Sequence, residues 1–431
     1  MRAGVMGVMV AALVAAGLAG CNEEIVCPAG QRDCGGACVD VALDAANCGA
    51  CGKTCNAGEA CRAGACTDCA SACGAGQTCE GGVCKAALYV ACFSTDSVVG
   101  VNGELAAAGP ARDVDDGPVS LAWAGDRLWA AHGFSVPTLV GFTPGVSGQL
   151  RHTLGGDYLN AVTSSEGTLF TTAHAGTLVV VNPDQGVVDE IALGAPGVEV
   201  NPRGVGVVTA NHRAVVALYG DAITPTWDEG QSIAIVDVAG SPTCAAAPCG
   251  AIVRRVALNV PAETGVVGAY DAPGLPFPAD VAVHGTKAYV TLANLKEAGG
   301  FYGTPAGHGR LAVVDTTSLA AEPAFVDLGA SCTNPGAIVA DGATLWVSCG
   351  GSMTVVPVDV GGAAPAVGAA IDFPIVPGAL AFCGGVLYAA DQYSGQVARV
   401  AASGGTPVAA TVCTGGQFFD WAAALACGAA P

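Results

Sequence analysis

Cysteine shows the clearest chemical pattern in this sequence of 431 residues, which contains 21 cysteines. Cys21 stands apart, twelve cysteines lie from Cys27 to Cys84, and eight lie from Cys92 to Cys427. Both groups are even in number, as a framework of disulfide bonds in an oxidising compartment requires. The sequence therefore predicts an exported protein with paired cysteines and leaves Cys21 for a different chemistry.

The first cysteine group has a spacing that runs from Cys48 to Cys66 and repeats from Cys66 to Cys84, a period of 18 residues. Two Cys-x-x-Cys pairs within it also fit a zinc ribbon. Disulfides are favoured, because a zinc site would leave Cys55 and Cys61 over and an exported chain meets oxidising conditions. With almost no large apolar residues, this segment needs covalent cross-links in place of a core.

His132 and Asp391 occupy equivalent positions in a sequence repeat, where we expect a second strand to end, and His174 follows the equivalent residue Ala173. Imidazole and carboxylate groups bind divalent metals, so the three could hold a metal such as calcium at the axis of a ring. The alternative is that each side chain lies at the rim with its hydrogen bonds made to neighbouring protein groups. The sequence favours this alternative, because it contains no closely spaced His-x-x-x-His pair and no Asp-rich loop. We predict no cofactor and no catalytic residue, with the metal as the alternative.

Two long loops and one connection have the composition of a binding surface. Long loops in compact folds are commonly functional, and aromatic rings with a few charged neighbours dominate binding hot spots. The alternative is that the rings fold back over the backbone of their own loops. The candidate residues are Trp227, Asp228, Glu229, Tyr270, Phe301, Tyr302, His308 and Arg310.

A repeated pattern must position all of these residues. The stretch 377–400 reads as three short strands between glycine-bearing turns, and 335–358 repeats it without a gap. Looser copies begin at Pro118, Leu159, Pro202 and Pro278, and a seventh is divided between 88–92 and 421–427. Such a repeat predicts an all-β fold, a seven-bladed β-propeller closed by pairing of N- and C-terminal strands and preceded by a small disulfide-rich domain.

Alignment of the repeats also predicts how the second cysteine group pairs. Antiparallel neighbours bring the end of one strand close to the start of the next, and a disulfide requires Cα atoms within about 7 Å. We expect a Cys92–Cys413 bond that locks the ring covalently, together with Cys332–Cys349, Cys383–Cys427 and Cys244–Cys249.

The N-terminal residues 1–20 predict a signal peptide, because Arg2 precedes an uncharged run rich in Ala, Val and Leu. The run ends in Leu-Ala-Gly-Cys at Cys21, which resembles the bacterial lipobox. This resemblance implies a lipid on Cys21, and Asn22 fits retention in the outer membrane. The alternative is an ordinary secretory signal with Cys21 in a disulfide. The expected domains are 1–20, a stalk at 21–85 and a propeller at 86–431.

Composition limits the classes of partner. The chain is 52% hydrophobic, with a formal net charge of -20, which excludes a disordered protein and disfavours nucleic acid and anionic membrane surfaces. The membrane is therefore expected as a partner only through the lipid, and the other partner is expected to be an envelope protein or glycan.

Two family resemblances support this interpretation. The cysteine pattern over about 27–84, clearest at 47–55, resembles the Stig1 module, which implies an extracellular module without a chemistry of its own. Sequences such as 233–237 and 311–315 resemble the NHL and YVTN propeller repeats, whose members are binding platforms, lactonases and other enzymes. The acids that bind calcium in the enzymes cannot be placed, since only Asp157, Asp280 and Asp420 lie near strand starts. We predict a binding or scaffold propeller, with a lactonase-type hydrolase that holds a metal at the axis as the alternative.

Overall fold

The structure is a computed structural model. It describes residues 27, 32–35, 38–39, 41–42, 44, 46–56, 59–62, 64–68, 77–80, 83–86, 88–103, 105, 108–133, 136–144, 148–155, 157–195, 198, 200–223, 230–258, 274–415 and 421–428. The predicted lipidation site Cys21 and the rim candidates Trp227, Asp228, Glu229 and Tyr270 lie outside these residues. The chain divides into two compact units, Met1–Ala72 with Cys79–Val83 and Cys73–Thr78 with Cys84–Pro431. No helix among the described residues has the length and apolar character needed to cross a bilayer.

The described N-terminal region consists of short hairpins and disulfide bonds. Strand β1 (Arg32–Asp33) pairs with β2 (Cys38–Val39), β3 (Glu59–Arg62) with β4 (Ala65–Asp68), and β5 (Gln77–Glu80) with β6 (Val83–Ala86). The bonds in which both cysteines lie among the described residues are Cys34–Cys51, Cys48–Cys61 and Cys55–Cys66. The sulfurs of Cys48, Cys55 and Cys66 lie within 4.8 Å of one another, but each is already in a disulfide. Zinc needs free thiolates, so the structure favours the disulfide framework over the zinc ribbon.

Seven antiparallel sheets form the second unit, and we number these blades from the one that contains both chain ends. Blade 1 consists of β37 (Ala422–Cys427), β7 (Leu88–Cys92), β8 (Ser97–Val101) and β9 (Ala108–Asp113). Blade 2 consists of β10 (Pro118–Ala124), β11 (Arg127–His132), β12 (Thr138–Phe142) and β13 (Leu150–Thr153). Blade 3 consists of β14 (Leu159–Ser165), β15 (Thr168–Ala173), β16 (Thr177–Asn182) and β17 (Gly186–Ala192). Blade 4 consists of β18 (Pro202–Val208), β19 (Arg213–Leu218), β20 (Ser232–Asp237) and β21 (Ala251–Ala257).

The remaining blades carry one insertion. Blade 5 consists of β22 (Pro278–His284), β23 (Lys287–Leu292), β26 (Arg310–Asp315) and β27 (Ala324–Asp327), with a separate hairpin of β24 (Leu295–Glu297) and β25 (Tyr302–Pro305). Blade 6 consists of β28 (Pro335–Asp341), β29 (Thr344–Cys349) and β30 (Thr354–Asp359), which pairs with both β31 (Ala366–Val367) and β32 (Ile371–Asp372). Blade 7 consists of β33 (Pro377–Cys383), β34 (Val386–Asp391), β35 (Gln396–Ala401) and β36 (Val408–Thr411). Short 3-10 turns lie at Phe93–Thr95, Thr209–Asn211 and Ser241–Thr243.

The first strand of each blade is its inner strand, and each inner strand contacts the next around a closed ring. Pairing of β37 with β7, with Cys427 opposite Leu88, closes this ring. The structure thus confirms the predicted seven-bladed propeller and its closure by the two chain ends. All seven inner strands shift register near their first residue, and five of them begin with proline, which has no N–H to offer to a ladder.

The hydrophobic core lies between the blades. For example, Val215 and Val256 of blade 4 pack with Val281 and Val290 of blade 5, and each of the other blade interfaces has a similar cluster. Sheets that bury both faces read as continuous apolar runs, which explains why strands such as β12 lack alternation. Close approach also matters, since a β-carbon on Gly204 of β18 would lie 2.5 Å from the Cα of Asp280 on β22.

The structure joins the same four cysteine pairs that the repeat predicts. Cys92–Cys413 and Cys332–Cys349 occupy equivalent places in blades 1 and 6, with Cα separations of 5.3 and 5.0 Å. Cys383–Cys427 links the inner strands of blades 7 and 1, and Cys244–Cys249 closes a loop of blade 4. Cys92–Cys413 therefore links the N-terminal strand β7 to the C-terminal segment whose pairing closes the ring, and Cys383–Cys427 holds β37 to blade 7.

Candidate binding surface on the upper rim

The upper rim is the face that carries the connection into each inner strand and the loop between the second and third strands. The long loops of blades 4 and 5 join on this rim, because the Tyr302 N–H donates to the Ala222 carbonyl at 2.9 Å. Leu275 and Leu295 exchange backbone hydrogen bonds at 2.8 and 2.9 Å, which fixes β24 to the connection that enters blade 5. The loops of the two blades therefore form one continuous surface.

A row of side chains packed one against the next supports this surface. The Arg203 guanidinium lies 4.3 Å from the centre of the Tyr219 ring, which lies 5.0 Å from that of Phe277, and Tyr302 follows at 5.6 Å. Phe277 is fully buried, and its N–H donates to Gln231 Oε1 at 2.7 Å. Burial raises the pKa of Tyr219, and the positive charge of Arg203 opposes this rise. The row is a rigid base that crosses from blade 4 to blade 5.

Two large apolar side chains project from the base. Phe301, at the tip of the β24–β25 hairpin, is 53% exposed, and Ile223 on the neighbouring loop is 66% exposed. The Phe301 ring lies against the backbone of Gly303, where a β-carbon would come within 2.4 Å of it. Tyr302 is half-buried in the supporting row. The sequence left two alternatives, an exposed binding ring or a ring folded back over its own loop. Phe301 faces solvent and fits the first, whereas Tyr302 folds back onto the loops and fits the second.

His308 and Arg310 of the predicted patch both pair with Asp327 on the outer strand of blade 5. His308 Nδ1 lies 3.1 Å from Asp327 Oδ1, and Arg310 Nη1 lies 3.8 Å from Asp327 Oδ2. Arg310 is buried, and the side-chain amide of Asn294 donates to the His308 carbonyl at 3.0 Å. Arg310 is therefore not part of the exposed surface, and His308 contributes only a small part of it. Sequence spacing could not show this, because it depends on Asp327, which lies on the outer strand of the blade.

The three predicted metal ligands do not come together. Among the described residues, only Cys48, Cys55 and Cys66 place three ligand atoms within 4.8 Å. His174 Nδ1 lies 3.0 Å from Asn201 Oδ1, and its ring stacks on Tyr158. Asp391 accepts hydrogen bonds from the Tyr393 N–H at 3.0 Å and the Ser394 hydroxyl at 2.8 Å. Each of these two side chains thus has its own local partners.

His132, the third predicted ligand, is fully buried at the end of β11. Its Nδ1 lies 2.9 Å from the Thr138 carbonyl, so this nitrogen must carry the proton and donate. The other ring nitrogen, Nε2, is buried and has no hydrogen-bond partner among the described residues. Burial lowers the pKa of His132, although the Thr138 carbonyl and the Asp115 carboxylate oppose this effect. The imidazole is held neutral.

Asp280 is the acid that the structure places on an inner strand near the axis. The equivalent positions of the other blades hold only small residues: Ser120, Ala161, Gly204, Ala337, Ala379 and Ala424. Asp280 Oδ1 accepts a hydrogen bond from the Val281 N–H at 2.8 Å. Burial raises the pKa of Asp280 to about 6 although its backbone hydrogen bonds favour the charged form. A charged residue at a position otherwise occupied by small residues was the sequence signal for this site.

The comparisons with known proteins concern the two parts of the chain separately. Residues 16–68 match the model of the Stigma-specific STIG1-like protein family. The match ends at the last residue of β4 and includes the first cysteine repeat. The sequence resemblance was expected to extend to residue 84, and the match stops short of that residue. No curated protein matches the chain at a significant level.

Several solved structures are similar to the propeller. Hydrazine synthase from Kuenenia stuttgartiensis is 15% identical, with a TM-score of 0.55 over 72% of this chain and 90% of that chain. A Bacteroides fragilis protein provisionally named a 6-phosphogluconolactonase is 13% identical, with a TM-score of 0.54 over 79% and 96%. Virginiamycin B lyase from Staphylococcus aureus is 12% identical, with a TM-score of 0.50 over 69% and 85%. At such identities the likeness shows the β-propeller fold alone.

Proposed function

We propose that this protein is a recognition module of the cell envelope, and that its propeller binds a protein or glycan partner through the upper rim of blades 4 and 5. The observation that carries the proposal is the pair Ile223 and Phe301, exposed on two loops that a backbone hydrogen bond joins. Exposed apolar groups over a packed base are typical of binding hot spots. The rigid base reduces the entropy that binding must cost. Met353 and Tyr393 are also exposed on the upper rim, in blades 6 and 7.

The proposed address is the outer membrane, with a lipid on Cys21 and the disulfide-rich region as a stalk. The lipobox-like sequence at Cys21 and the disulfide bonds of both units support export. The net charge of -20 argues against nucleic acid as the partner.

Site-specific photo-crosslinking in intact cells tests the binding surface. A benzoylphenylalanine residue replaces Phe301 in the full chain, and the matched control replaces Val408, which is similarly exposed on the outer strand of blade 7. We expect a discrete adduct from position 301 that position 408 does not give. No adduct at 301, or the same adduct at both positions, would refute this rim as the binding surface.

A lactonase-type hydrolase is the second candidate, and Asp280 is the observation in its favour, because a carboxyl group of raised pKa can serve in acid–base chemistry. The test measures lactone hydrolysis by the purified protein with and without added calcium, together with metal content and melting temperature before and after chelation. Hydrolysis that requires Asp280 would support the enzyme. No turnover, no bound metal and no shift in melting temperature would remove this candidate.

A further inference from the structure

We infer that Arg203 is an anion-binding residue of the upper rim and that it takes a carboxylate carried by a protein segment with a large apolar side chain nearby. This inference rests on the proposed function, because it uses the same rim, and it adds the chemical class of the ligand.

Arg203 is the second residue of β18, and its side chain is exposed at the rim. The guanidinium stacks over the half-buried Tyr219 ring, which itself packs against buried Phe277. Stacking occupies the face of the guanidinium and leaves the N–H groups at its edge directed outward. Among the described residues these N–H groups form no hydrogen bond and no ion pair.

Other arginines of the propeller use their N–H groups within the protein. Each donates to a backbone carbonyl or pairs with a carboxylate: Arg112, Arg127, Arg151, Arg213, Arg254, Arg255 and Arg310. In a chain with a net charge of -20, an exposed arginine with open donors is a local site of positive charge. A carboxylate is the group that such a fork binds in two-point geometry.

Stacking also makes the site more effective. A free arginine side chain loses rotamer entropy on binding. The Tyr219 ring already restricts Arg203, so less of this entropy remains to be lost when the carboxylate arrives. The position of Tyr219 is itself fixed by Phe277, which has no exposed surface.

The surroundings favour a protein segment over an acidic glycan. Arg203 covers the face of Tyr219 on which a sugar ring would stack, and the exposed groups nearby are the aliphatic Ile223 and the Phe301 ring. The row leads from Arg203 to the Tyr219 ring at 4.3 Å, from there to the Phe277 ring at 5.0 Å and on to the Tyr302 ring at 5.6 Å. Tyr302 follows Phe301 in the chain. An extended peptide rises about 3.3 Å per residue, so about four residues separate a carboxylate on Arg203 from an apolar side chain on Phe301.

Peptide titration of the full chain, followed by NMR at low salt, tests this inference. The probes are acetyl-Phe-Ala-Ala-Ala-Glu-amide and the peptide of reverse order, each compared with its counterpart in which Gln replaces Glu. We expect one Glu peptide to bind at least about fivefold more tightly than its Gln counterpart. Arg203→Gln should remove the difference in affinity between the Glu and the Gln peptide. Phe301→Ala should weaken the binding of both the Glu and the Gln peptide of the sequence order that binds.

Arg112→Gln is the matched control, because Arg112 also lies over an aromatic ring, Phe142 at 5.5 Å, but already donates to the Gly148 carbonyl. The Glu–Gln difference should survive in this variant. No binding of either Glu peptide up to about 10 mM, or a difference that persists in Arg203→Gln, overturns the inference. Arg203-dependent binding of trigalacturonate without binding of the Glu peptides assigns the site to acidic glycans and also overturns it. A photo-adduct at residue 301 that is unchanged by Arg203→Gln retains the proposed rim and rejects only the role of Arg203.

Discussion

The Asp280 carboxylate on the inner strand of blade 5 accepts a hydrogen bond from the Ile338 N–H on the inner strand of blade 6, at 3.0 Å. Ser120 occupies the equivalent position in blade 2, and its hydroxyl accepts from the Val162 N–H of blade 3 at 3.1 Å. Bulges leave N–H groups of the inner strands outside the ladders, and a buried N–H without a partner costs about 1–3 kcal/mol. Side chains of one blade therefore satisfy the backbone of the next.

Replacement of Asp280 by Asn should change how stability depends on pH. Burial raises the folded-state pKa from 3.8 to about 6, so between these values the folded protein binds more protons than the unfolded chain. The free energy of unfolding should therefore fall as pH rises from about 4 to about 6, by up to about 3 kcal/mol from this group. Denaturant titrations at several pH values should show that Asp280→Asn removes this decline. Asp341→Asn, at the exposed end of β28, should keep it; an unchanged decline in Asp280→Asn would contradict the assignment.

His132 should have the opposite effect on stability at low pH. Burial lowers its folded-state pKa below 6.5, so the unfolded chain binds the proton more readily. Stability from this group is complete above pH 6.5 and falls as pH decreases through that value toward the folded-state pKa. His132→Asn keeps a donor near the Thr138 carbonyl and should abolish this loss, as measured by thermal melts from pH 7 to 5. A loss of equal size in wild type and variant would assign it to other groups.

Removal of the Cys92–Cys413 bond should destabilise the ring more than removal of Cys332–Cys349. The bonds occupy equivalent places in their blades, but their sequence separations are 321 and 17 residues. The entropy of loop closure predicts costs of roughly 6 and 3 kcal/mol for the two bonds when each is changed to a pair of alanines. Guanidinium unfolding of the two double variants compares them directly. Equal losses would show that contacts across the closing interface, and not loop length, determine the effect.

Asp189→Ala should loosen the disulfide loop of blade 4. Asp189, on β17 of blade 3, is fully buried and accepts hydrogen bonds from the Ser241 hydroxyl, the Cys249 N–H at 3.0 Å and the Gly250 N–H at 2.8 Å. Loss of the carboxylate leaves the buried Ser241 hydroxyl and Gly250 N–H without a partner, together with the part-buried Cys249 N–H, and should cost about 3–5 kcal/mol. Hydrogen exchange at Cys249 and Gly250 reports the change locally. Ser241→Ala removes only one donor and should cost about 1 kcal/mol; an equally small effect of Asp189→Ala would mean that water replaces the carboxylate.

The sequence could predict the ring because its signals are local and repeated. Proline or leucine opens six inner strands, and glycine-bearing turns follow at similar spacing, so equivalent positions could be aligned and cysteines paired. The hairpin Leu295–Pro305 could not be predicted in the same way, because among the described residues only blade 5 has a hairpin inserted between its second and third strands. Sequence order also could not show that Tyr302 packs inward while its neighbour Phe301 faces solvent.

The contacts of Asp280 and Arg203 depend on residues distant in the chain. The Asp280 carboxylate accepts a hydrogen bond from Ile338, which is 58 residues away. The Arg203 guanidinium lies over the ring of Tyr219, which is in the loop after the next strand. Neither residue belongs to a recognisable motif. Asp280 stands where the other six blades have small residues, and Arg203 stands where five of the other six have small or apolar residues, with Asn160 as the sixth. This contrast becomes informative only after the blades are aligned.

The Cys92–Cys413 bond also determines how the propeller carries mechanical load. Tension on the chain ahead of Leu88 pulls along β7, which is paired on both edges and therefore loaded in shear. At Cys92 the covalent path divides, with one branch through β8 and the other through Cys413 into blade 7. A partner held on blades 4 and 5 would thus be tethered along both arms of the ring. Even if the ladders of β7 were sheared apart, the covalent ring through Cys92 and Cys413 would stay closed under such a pull.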